Sequence, residues 1–295
     1  MSQINEQILP PRINLPSLEK NVLELRALKD FFLTGLVWGL AVLASIPLIS
    51  VIYMLILEGG ARLDFEAITA LPPAGFETGG GFGNAIIGTL TMVGIAYALS
   101  IPIGIMAALH LAILNPNSKT ATVSRFLAKV LTGFPSILAG VFVYAVIVIT
   151  TGTYSAWAGG VALAVLMLPT VTLAAEEAMK QVPQRMKDAA FGMGCTRTQV
   201  IFKVVLPTAL PGIMTGVILA VAGAAGESAP LLFTALFSNY YMSELAEPTA
   251  SLSILIYNFS GMPFENQIEL AWAASLALVI LVLFFNILAR VIGRT

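Results

Sequence analysis

Residues 31–57 read FFLTGLVWGLAVLASIPLISVIYMLIL, an apolar stretch without a single Asp, Glu, Lys or Arg. As an α-helix, this stretch would be about 40 Å long, which is enough to cross about 30 Å of hydrocarbon. A polar segment precedes it, and it exceeds the roughly 7–15 apolar residues of a cleavable signal peptide. We therefore expect residues 31–57 to remain in the protein as a transmembrane helix.

Five further apolar stretches follow, over residues 84–114, 126–150, 157–175, 208–237 and 270–292. The chain is 58% hydrophobic and 11% charged, whereas a soluble domain carries roughly 25% charged residues. Helices satisfy every backbone group within such long runs, and a barrel would show short segments of alternating polarity. The sequence predicts an all-α, polytopic membrane protein with about six transmembrane helices. Prolines are expected to bend helices or mark their ends at Pro47, Pro102, Pro135 and Pro169.

The distribution of charge predicts the orientation, because basic residues near the spans stay on the cytoplasmic side. With both termini in the cytoplasm, Arg62 is the only one of the 15 Lys and Arg residues that lies outside. The two long external loops are acidic, with Glu58, Asp64, Glu66, Glu77, Glu244, Glu247, Glu265 and Glu269. We therefore expect a multi-pass protein of the plasma membrane with both ends inside. The net charge of -1 gives no indication of nucleic-acid binding.

The cytoplasmic loop over residues 176–207 is longer than a connection between two helices requires. Pro183 suits a first helical turn, and Met186, Ala189, Ala190 and Met193 then lie on one face. Gly192 and Gly194 are expected to end this helix, and Thr196 with Gln199 predicts a capping box for a second short helix that ends at Val205. From periodicity alone, such a loop could dock a partner protein or lie on the membrane surface.

Part of this loop resembles the EAA motif of ABC importer permeases. The matching residues are Asp188, Ala189, Ala190, Gly194, Leu206 and Pro207, and Asp188 replaces the usual glutamate. In that family the motif forms a coupling helix that sits in a cleft of the cytoplasmic ATPase, so the resemblance implies this role here. A helix that enters a groove must approach it closely, and small alanines permit this. Glycine permits a sharp turn where the chain leaves the helix.

Most of the chain beyond Gly81 is similar to the PstA-type permeases of phosphate-specific ABC importers. The similar segments are NAIIGT (84–89), PIG (102–104), PSILAGVFVY (135–144), WAG (157–159), GIMTG (212–216), GESAPLLFTA (226–235) and NILAR (286–290). The resemblance implies the type I importer fold. It divides the chain into a cytoplasmic segment (1–30), a first helix with an external loop (31–83) and a transporter domain (84–292) that contains the coupling loop. Some relatives carry arginines where this chain has Leu173 and Gly223, which shifts phosphate selectivity toward other subunits.

Glu227 is the one acid well inside an apolar stretch, and a carboxylate at mid-membrane costs about 2.5–3.5 kcal/mol on insertion scales. With Ser228, it is a candidate for the translocation pathway or for pairing with a second permease; a protonated or snorkelling carboxylate is the structural alternative. Small residues at Gly212, Gly216, Ala220 and Gly223 predict close helix packing. His110 fits a helix end better than a proton relay.

The resemblance implies an ATP-driven importer of inorganic phosphate that works by alternating access. Its implied partners are a PstC-like second permease, two PstB-like ATPases, a PstS-like extracytoplasmic binding protein and membrane lipid. The chain lacks a Gly-x-x-x-x-Gly-Lys-Ser/Thr segment, so we expect a partner to bind ATP and this chain to hold no cofactor. Its one cysteine, Cys195, gives no zinc signature. Importers of molybdate or sulfate remain open, and a membrane enzyme or a secondary transporter would need more polar groups at membrane depth.

Overall fold

The computed structural model describes residues 25–292, and within them the chain is helical, with no strand. The chain divides into two compact units, residues 1–53 and 54–295. Most of the predicted cytoplasmic segment 1–30 lies outside the described residues. The first unit contributes most of α1 (Leu25–Met54), which includes Pro47 and exposes its apolar side chains. The apolar helical stretch extends from Leu28 to Arg62, through a π-helical turn at Leu55–Gly59.

Ten further helices lie in residues 54–292, the described part of the second unit. They are α2 (Phe65–Thr69), α3 (Gly83–Leu109, then a π-helical turn His110–Leu114), α4 (Lys119–Thr132), α5 (Ser136–Val143, Tyr144–Val148 and Ile149–Thr151), α6 (Ala156–Lys180), α7 (Gln184–Gly192), α8 (Arg197–Val200, Ile201–Val205 and Leu206–Gly226), α9 (Ala229–Leu232), α10 (Leu252–Ser260) and α11 (Glu265–Ile292). Among the described residues, five helices are long and apolar enough to cross a membrane: the helical stretch Leu28–Arg62 that contains α1, and α3, α6, α8 and α11. The pair α4 and α5 gives a sixth crossing if it counts as one bent span.

The third predicted span, residues 126–150, is wrong as a single helix. Helix α4 ends at Thr132, α5 begins at Ser136, and the two helices are bent by 106°. Pro135 lacks an N–H donor and disfavours a helical conformation at Phe134, and Gly133 adds a residue of low helix propensity. Prolines inside α1, α3 and α6 leave those helices continuous, so Pro135 alone of the four marks a helix end.

The fifth predicted span, residues 208–237, is also wrong at both ends. Helix α8 begins at Arg197 and ends at Gly226, where Glu227 adopts an extended backbone conformation. After α9, the chain returns toward the protein through α10, a nine-residue helix in a segment that the sequence assigned to an external loop. Five of the nine residues of α10, and its N-cap Ser251, are buried.

Helix α6 occupies the centre of the second unit, between α3 and α8, and most of its apolar length is buried. The predicted close packing of α8 is confirmed at Gly216 and Gly212, which face Ala174 and Ala178 of α6. A Cβ at Gly212 would lie 2.8 Å from the Cβ of Ala178. Gly223 was wrongly included in this face, because a Cβ there would meet no atom within 4 Å.

Gly88 of α3 approaches the segment before α10 so closely that a side chain there should destabilise the protein. A Cβ at Gly88 would overlap the carbonyl oxygen of Ala250 and lie 2.6 Å from Cγ2 of Thr249. Because a backbone carbonyl cannot rotate away, we expect Gly88→Ala to lower stability by about 1–3 kcal/mol. The loss of monodisperse protein on heating in detergent measures this effect.

Gly94 of the same helix provides the matched control, since a Cβ there would meet nothing within 4 Å. Gly94→Ala should leave the temperature at which half of the monodisperse protein is lost unchanged or raise it, because alanine is the better helix former by about 1 kcal/mol. Equal midpoints for the two variants would contradict the packing described here.

Candidate functional site

Helix α7 carries Asp188, Ala189 and Ala190 of the EAA-like pattern. Asp188 and Ala189 are exposed, whereas Ala190 is buried against the core that includes Val182 and Val200. Gln184 donates a hydrogen bond of 2.9 Å to the Asp188 carboxylate, which braces the first turns of the helix. Buried Ala190 therefore fixes α7 to the transmembrane core, while Asp188 and Ala189 remain accessible.

The apolar face predicted for α7 is divided between core and solvent. Of its four members, only Ala190 is buried; Met186 and Ala189 are exposed, and Met193 is 78% exposed. Phe191 adds another exposed apolar side chain on the same helix. Large apolar side chains exposed on one short helix are typical of a surface that another protein or the membrane covers.

The turn after α7 depends on Gly194, which has a φ of +82°. Its N–H donates to the carbonyl of Phe191, and the N–H of Cys195 donates to Ala190. The predicted capping box is confirmed: Thr196 Oγ1 accepts from the N–H of Gln199, and Gln199 Oε1 accepts from the N–H of Thr196. The predicted second short helix is wrong, because this cap opens α8, which continues to Gly226.

We expect Gly194→Ala to strain this turn. An L-residue in the left-handed region costs about 1–2 kcal/mol, and no neighbouring atom lies within 4 Å of the added Cβ, so the effect is one of backbone conformation alone. Gly192→Ala is the control, because that position is equally open and has no positive φ. Amide hydrogen exchange in residues 184–200 should rise for Gly194→Ala only. Equal exchange in both variants would contradict this expectation.

Leu206 and Pro207, the last residues of the EAA-like pattern, lie in α8 immediately after the π-helical turn Ile201–Val205. Pro207 cannot donate to the preceding turn, and a wider turn accommodates its ring. Leu206 packs against the core that contains Val205, whereas Pro207 is exposed. These two residues thus lie on α8, whereas Asp188 and Ala189 lie on the exposed surface of α7.

Arg197, at the start of α8, connects the coupling loop to α3. Its guanidinium donates to the carbonyl oxygens of Ile113 and Leu114 at 2.9 and 2.6 Å. These carbonyls end the π-helical turn after α3, where a cation is favourable. The sequence had counted Arg197 only as a cytoplasmic charge, because its partners lie more than eighty residues away.

An ion cluster around one buried carboxylate lies close to the same loop in sequence. Glu176 of α6, only 3% exposed, accepts from Arg125 of α4 at 2.7 and 2.8 Å and from Lys180 at 2.7 Å. Arg125 also donates to the carbonyl oxygen of Leu111 at the end of α3. The cluster joins α3, α4 and α6 directly before the chain enters α7. Glu176, which the sequence placed at the start of the loop, lies inside α6.

Glu227 and Ser228, the other sequence candidates, lie beyond the end of α8 rather than within a span. Glu227 is partly exposed, and no Lys, Arg or His in the described part of the chain forms an ion pair with it. Its backbone carbonyl accepts from Ser253 Oγ of α10 at 3.0 Å.

Polar residues that the sequence did not single out stabilise the chain around the Glu227–Ser228 break, the point where α8 ends. Ser253 Oγ lies 3.0 Å from Ser251 Oγ, and Thr89 Oγ1 of α3 accepts from the N–H of Leu252 at 2.9 Å. Ser251 caps α10 through the N–H of Ile254. The available sequence signal for α10 was Ser251 directly before an apolar run. That run is too short to span a membrane.

Farther along the external segment, the Glu247 carboxylate accepts hydrogen bonds from the backbone N–H groups of Ser243 and Glu244. These bonds favour the charged form and hold the pKa of Glu247 below its usual value. No group of three or more His, Cys, Asp or Glu side chains in residues 25–292 is placed to hold a metal ion.

An apolar groove of about 260 Å³ runs between α3, α8 and α11. Its lining includes Tyr97 of α3, Met214 and Ile218 of α8, and Phe285 and Asn286 of α11. The groove leaves part of these spans without a neighbour within the described chain.

The family model described as "Binding-protein-dependent transport system inner membrane component" matches residues 100–295. The PstA phosphate transport system permease protein of Yersinia pestis is 36% identical over 93% of this chain and 90% of its own length. PstA of Pasteurella multocida is 38% identical over 92% and 93%, and the probable PstA of Methanocaldococcus jannaschii is 37% identical over 89% and 92%.

The chain therefore belongs to the inner membrane components of binding-protein-dependent transport systems and, within them, to the PstA permease family. Solved structures agree on the fold. One chain of a bacterial alginate ABC transporter is 17% identical, with a TM-score of 0.63 over 93% of this chain and 99% of its own length. The MetNI methionine ABC transporter gives 20% identity and a TM-score of 0.56 over 72% of this chain and 93% of its own.

Proposed function

We propose that this chain is the permease subunit of an ATP-driven importer of inorganic phosphate. The observation that carries the proposal is its similarity to PstA proteins along nearly the whole chain, for example 38% identity over 92% of the chain with PstA of Pasteurella multocida. A PstC-like second permease, two PstB-like ATPases and a PstS-like binding protein complete the importer. The ATPases hydrolyse ATP, and this chain holds no cofactor.

The exposed surface of α7 supports coupling to an ATPase. Asp188 and Ala189 present a carboxylate and a small side chain, with exposed Met186 and Phe191 on the same short helix. An ATPase cleft that receives this helix would bury the apolar side chains and displace water from them. Ala190, Gly194 and Arg197 fix the helix to α3 and α8, so that a push on α7 reaches the spans.

Two features are the proposed contacts with the second permease and the translocation pathway. One is the groove along α3, α8 and α11, and the other is the Glu227–Ser228 break. Glu227, without an internal ion pair among the described residues, is available to a cation of the second permease. A bare carboxylate would repel phosphate, so we assign it to subunit pairing rather than to direct binding. Residues 1–30 and 31–83 are accessory to the transporter domain at 84–292 in this proposal.

Reconstitution tests the proposed function. The chain is co-expressed with its second permease and ATPase, inserted into vesicles and supplied with the binding protein and labelled phosphate. Uptake should require hydrolysable ATP and should resist competition from molybdate and sulfate. Uptake that persists with a non-hydrolysable ATP analogue would exclude an ATP-driven importer, and a preference for molybdate or sulfate would assign a different oxyanion.

A further inference from the structure

Helix α4 carries an exposed apolar surface that neither the fold nor the proposed function explains. Its residues share one side at i, i+3, i+4, i+7 and i+8 spacing: Val123, Phe126, Leu127, Val130 and Leu131. Phe126 is 64% exposed and Val123 is 55% exposed. The opposite side packs against α6 through buried Ala121 and Ala128. This arrangement is an amphipathic helix attached to the protein by a narrow strip of small residues.

Helix α4 does not cross the membrane. It carries Lys119, Arg125 and Lys129 within fourteen residues, and a cation at the centre of a bilayer is unfavourable. It is bent by 106° from α5. If α5 stands roughly along the membrane normal, α4 must run roughly in the membrane plane.

Two contacts place α4 at the cytoplasmic boundary of the membrane. Arg125 bonds Glu176 in the last turns of α6 and the carbonyl of Leu111 at the end of α3. The distribution of Lys and Arg assigns both of these helix ends to the cytoplasmic side. Only residues 133–135 separate α4 from α5, so the end of α4 lies within a few residues of the point where the chain enters hydrocarbon.

We propose that α4 lies in the cytoplasmic leaflet, with its apolar side among acyl chains and its basic residues toward anionic headgroups. The polar side bears Thr122, Arg125, Lys129 and Thr132, and the helix contains no acidic residue. Arg125 is occupied by Glu176, which leaves Lys129 on the polar side to meet phosphate groups of lipid. Lys119 lies in the first turn, on the stripe of Val123 and Phe126, so its long side chain must extend past the helix end to reach the headgroups. Apolar side chains below and lysines above the interface are the pattern of a membrane-surface helix.

Lipid suits this surface better than a protein partner does. A docking partner would have to cover a strip that begins next to a membrane span, where lipid already lies, and the lysines complement the anionic charge of the cytoplasmic leaflet. Helix α5 spans about 24 Å by itself, slightly less than the usual hydrocarbon thickness, and a helix lying in the interface would thin the leaflet beside it. This inference does not depend on which solute is transported.

Site-directed spin labelling of the reconstituted complex tests the proposal. Cys195 is the only cysteine, so Cys195→Ser provides a background for single labels at Phe126→Cys and Val130→Cys on the apolar side, and at Thr122→Cys and Lys129→Cys on the polar side. In vesicles of phosphatidylcholine and phosphatidylglycerol, collision with oxygen should dominate at 126 and 130, about 5–10 Å below the headgroups. Collision with a water-soluble nickel chelate should dominate at 122 and 129.

Three outcomes would overturn the proposal. Equal access of the nickel chelate to all four labels would place α4 in the cytosol. Shielding of 126 and 130 from both oxygen and nickel would indicate a protein partner, such as the second permease or another copy. The third outcome concerns the depth of the labels at 126 and 130 when phosphatidylglycerol is omitted from the vesicles. If this depth does not change, in either the native background or a Lys119→Gln, Lys129→Gln background, the proposed contact with anionic headgroups is excluded.

Discussion

Glu176→Gln is expected to destabilise the folded protein by about 3 kcal/mol and to loosen the base of the coupling loop. The carboxylate is 3% exposed and receives hydrogen bonds from Arg125 and Lys180. Removing one partner of a buried ion pair typically costs about 3–5 kcal/mol, because the other charge is left uncompensated. We take the lower end of this range because Lys180 is 42% exposed and is screened by water. Unfolding of the detergent-solubilised protein in increasing SDS measures the loss.

Glu177→Gln is the matched control, since Glu177 is the next residue in α6 and is exposed. We expect this variant to unfold like the native protein. A double variant, Arg125→Met with Glu176→Met, should lose less than the sum of its single changes, because no buried charge then lacks a partner. Additive losses, or equal losses at 176 and 177, would show that the cluster contributes nothing as a unit.

The ion cluster also shows what the sequence could not predict. Glu176 and Arg125 are 51 residues apart, and each lies at a predicted boundary between an apolar stretch and a basic loop. Charge counting placed both on the cytoplasmic side, but no local pattern indicates that they meet. Partners that come together only through helix packing require the arrangement of α3, α4 and α6.

Local signals predicted other features well. The apolar stretch 84–114 corresponds to α3 with its π-helical turn, and the Thr196–Gln199 box was predicted from two side chains that bond within one turn. Prolines were ambiguous, because Pro102 and Pro169 stay within helices whereas Pro135 ends one. A neighbouring helix can satisfy the carbonyl that a proline leaves free, and a single sequence does not show whether such a neighbour is present.

Hydropathy also misplaced the end of α8. Residues 208–237 are nearly continuous in apolar character, yet the helix stops at Gly226, and Ser253 bonds the carbonyl of Glu227. Apolar residues after Gly226 are buried against α5 and α6 rather than in lipid, as the contact between Gly140 and Pro230 shows. Hydropathy reports that a segment avoids water, and it does not distinguish lipid from protein as the surroundings.

Ala189→Trp is expected to reduce ATP-driven phosphate uptake at least about tenfold, which corresponds to about 1.4 kcal/mol of coupling to the ATPase. Ala189 is exposed on α7, so the larger side chain meets solvent in the isolated chain and the fold should persist. In an ATPase cleft that receives a small residue, the indole would prevent close approach. Co-purification with the ATPase and uptake into vesicles should therefore fall together, while membrane insertion and thermal stability stay unchanged.

Asn117→Trp provides the control for Ala189→Trp, because Asn117 is an exposed residue in the cytoplasmic turn between α3 and α4 and lies outside the EAA-like pattern. Uptake should be retained there, since the tryptophan adds bulk on the same side of the membrane without touching α7. If both variants lose uptake equally, the cytoplasmic surface is sensitive to bulk in general. If Ala189→Trp retains both co-purification and uptake, α7 does not enter the ATPase and the coupling role belongs to another surface. Loss of uptake with intact co-purification would place the defect after docking, in the transmission from α7 through Arg197 to α3.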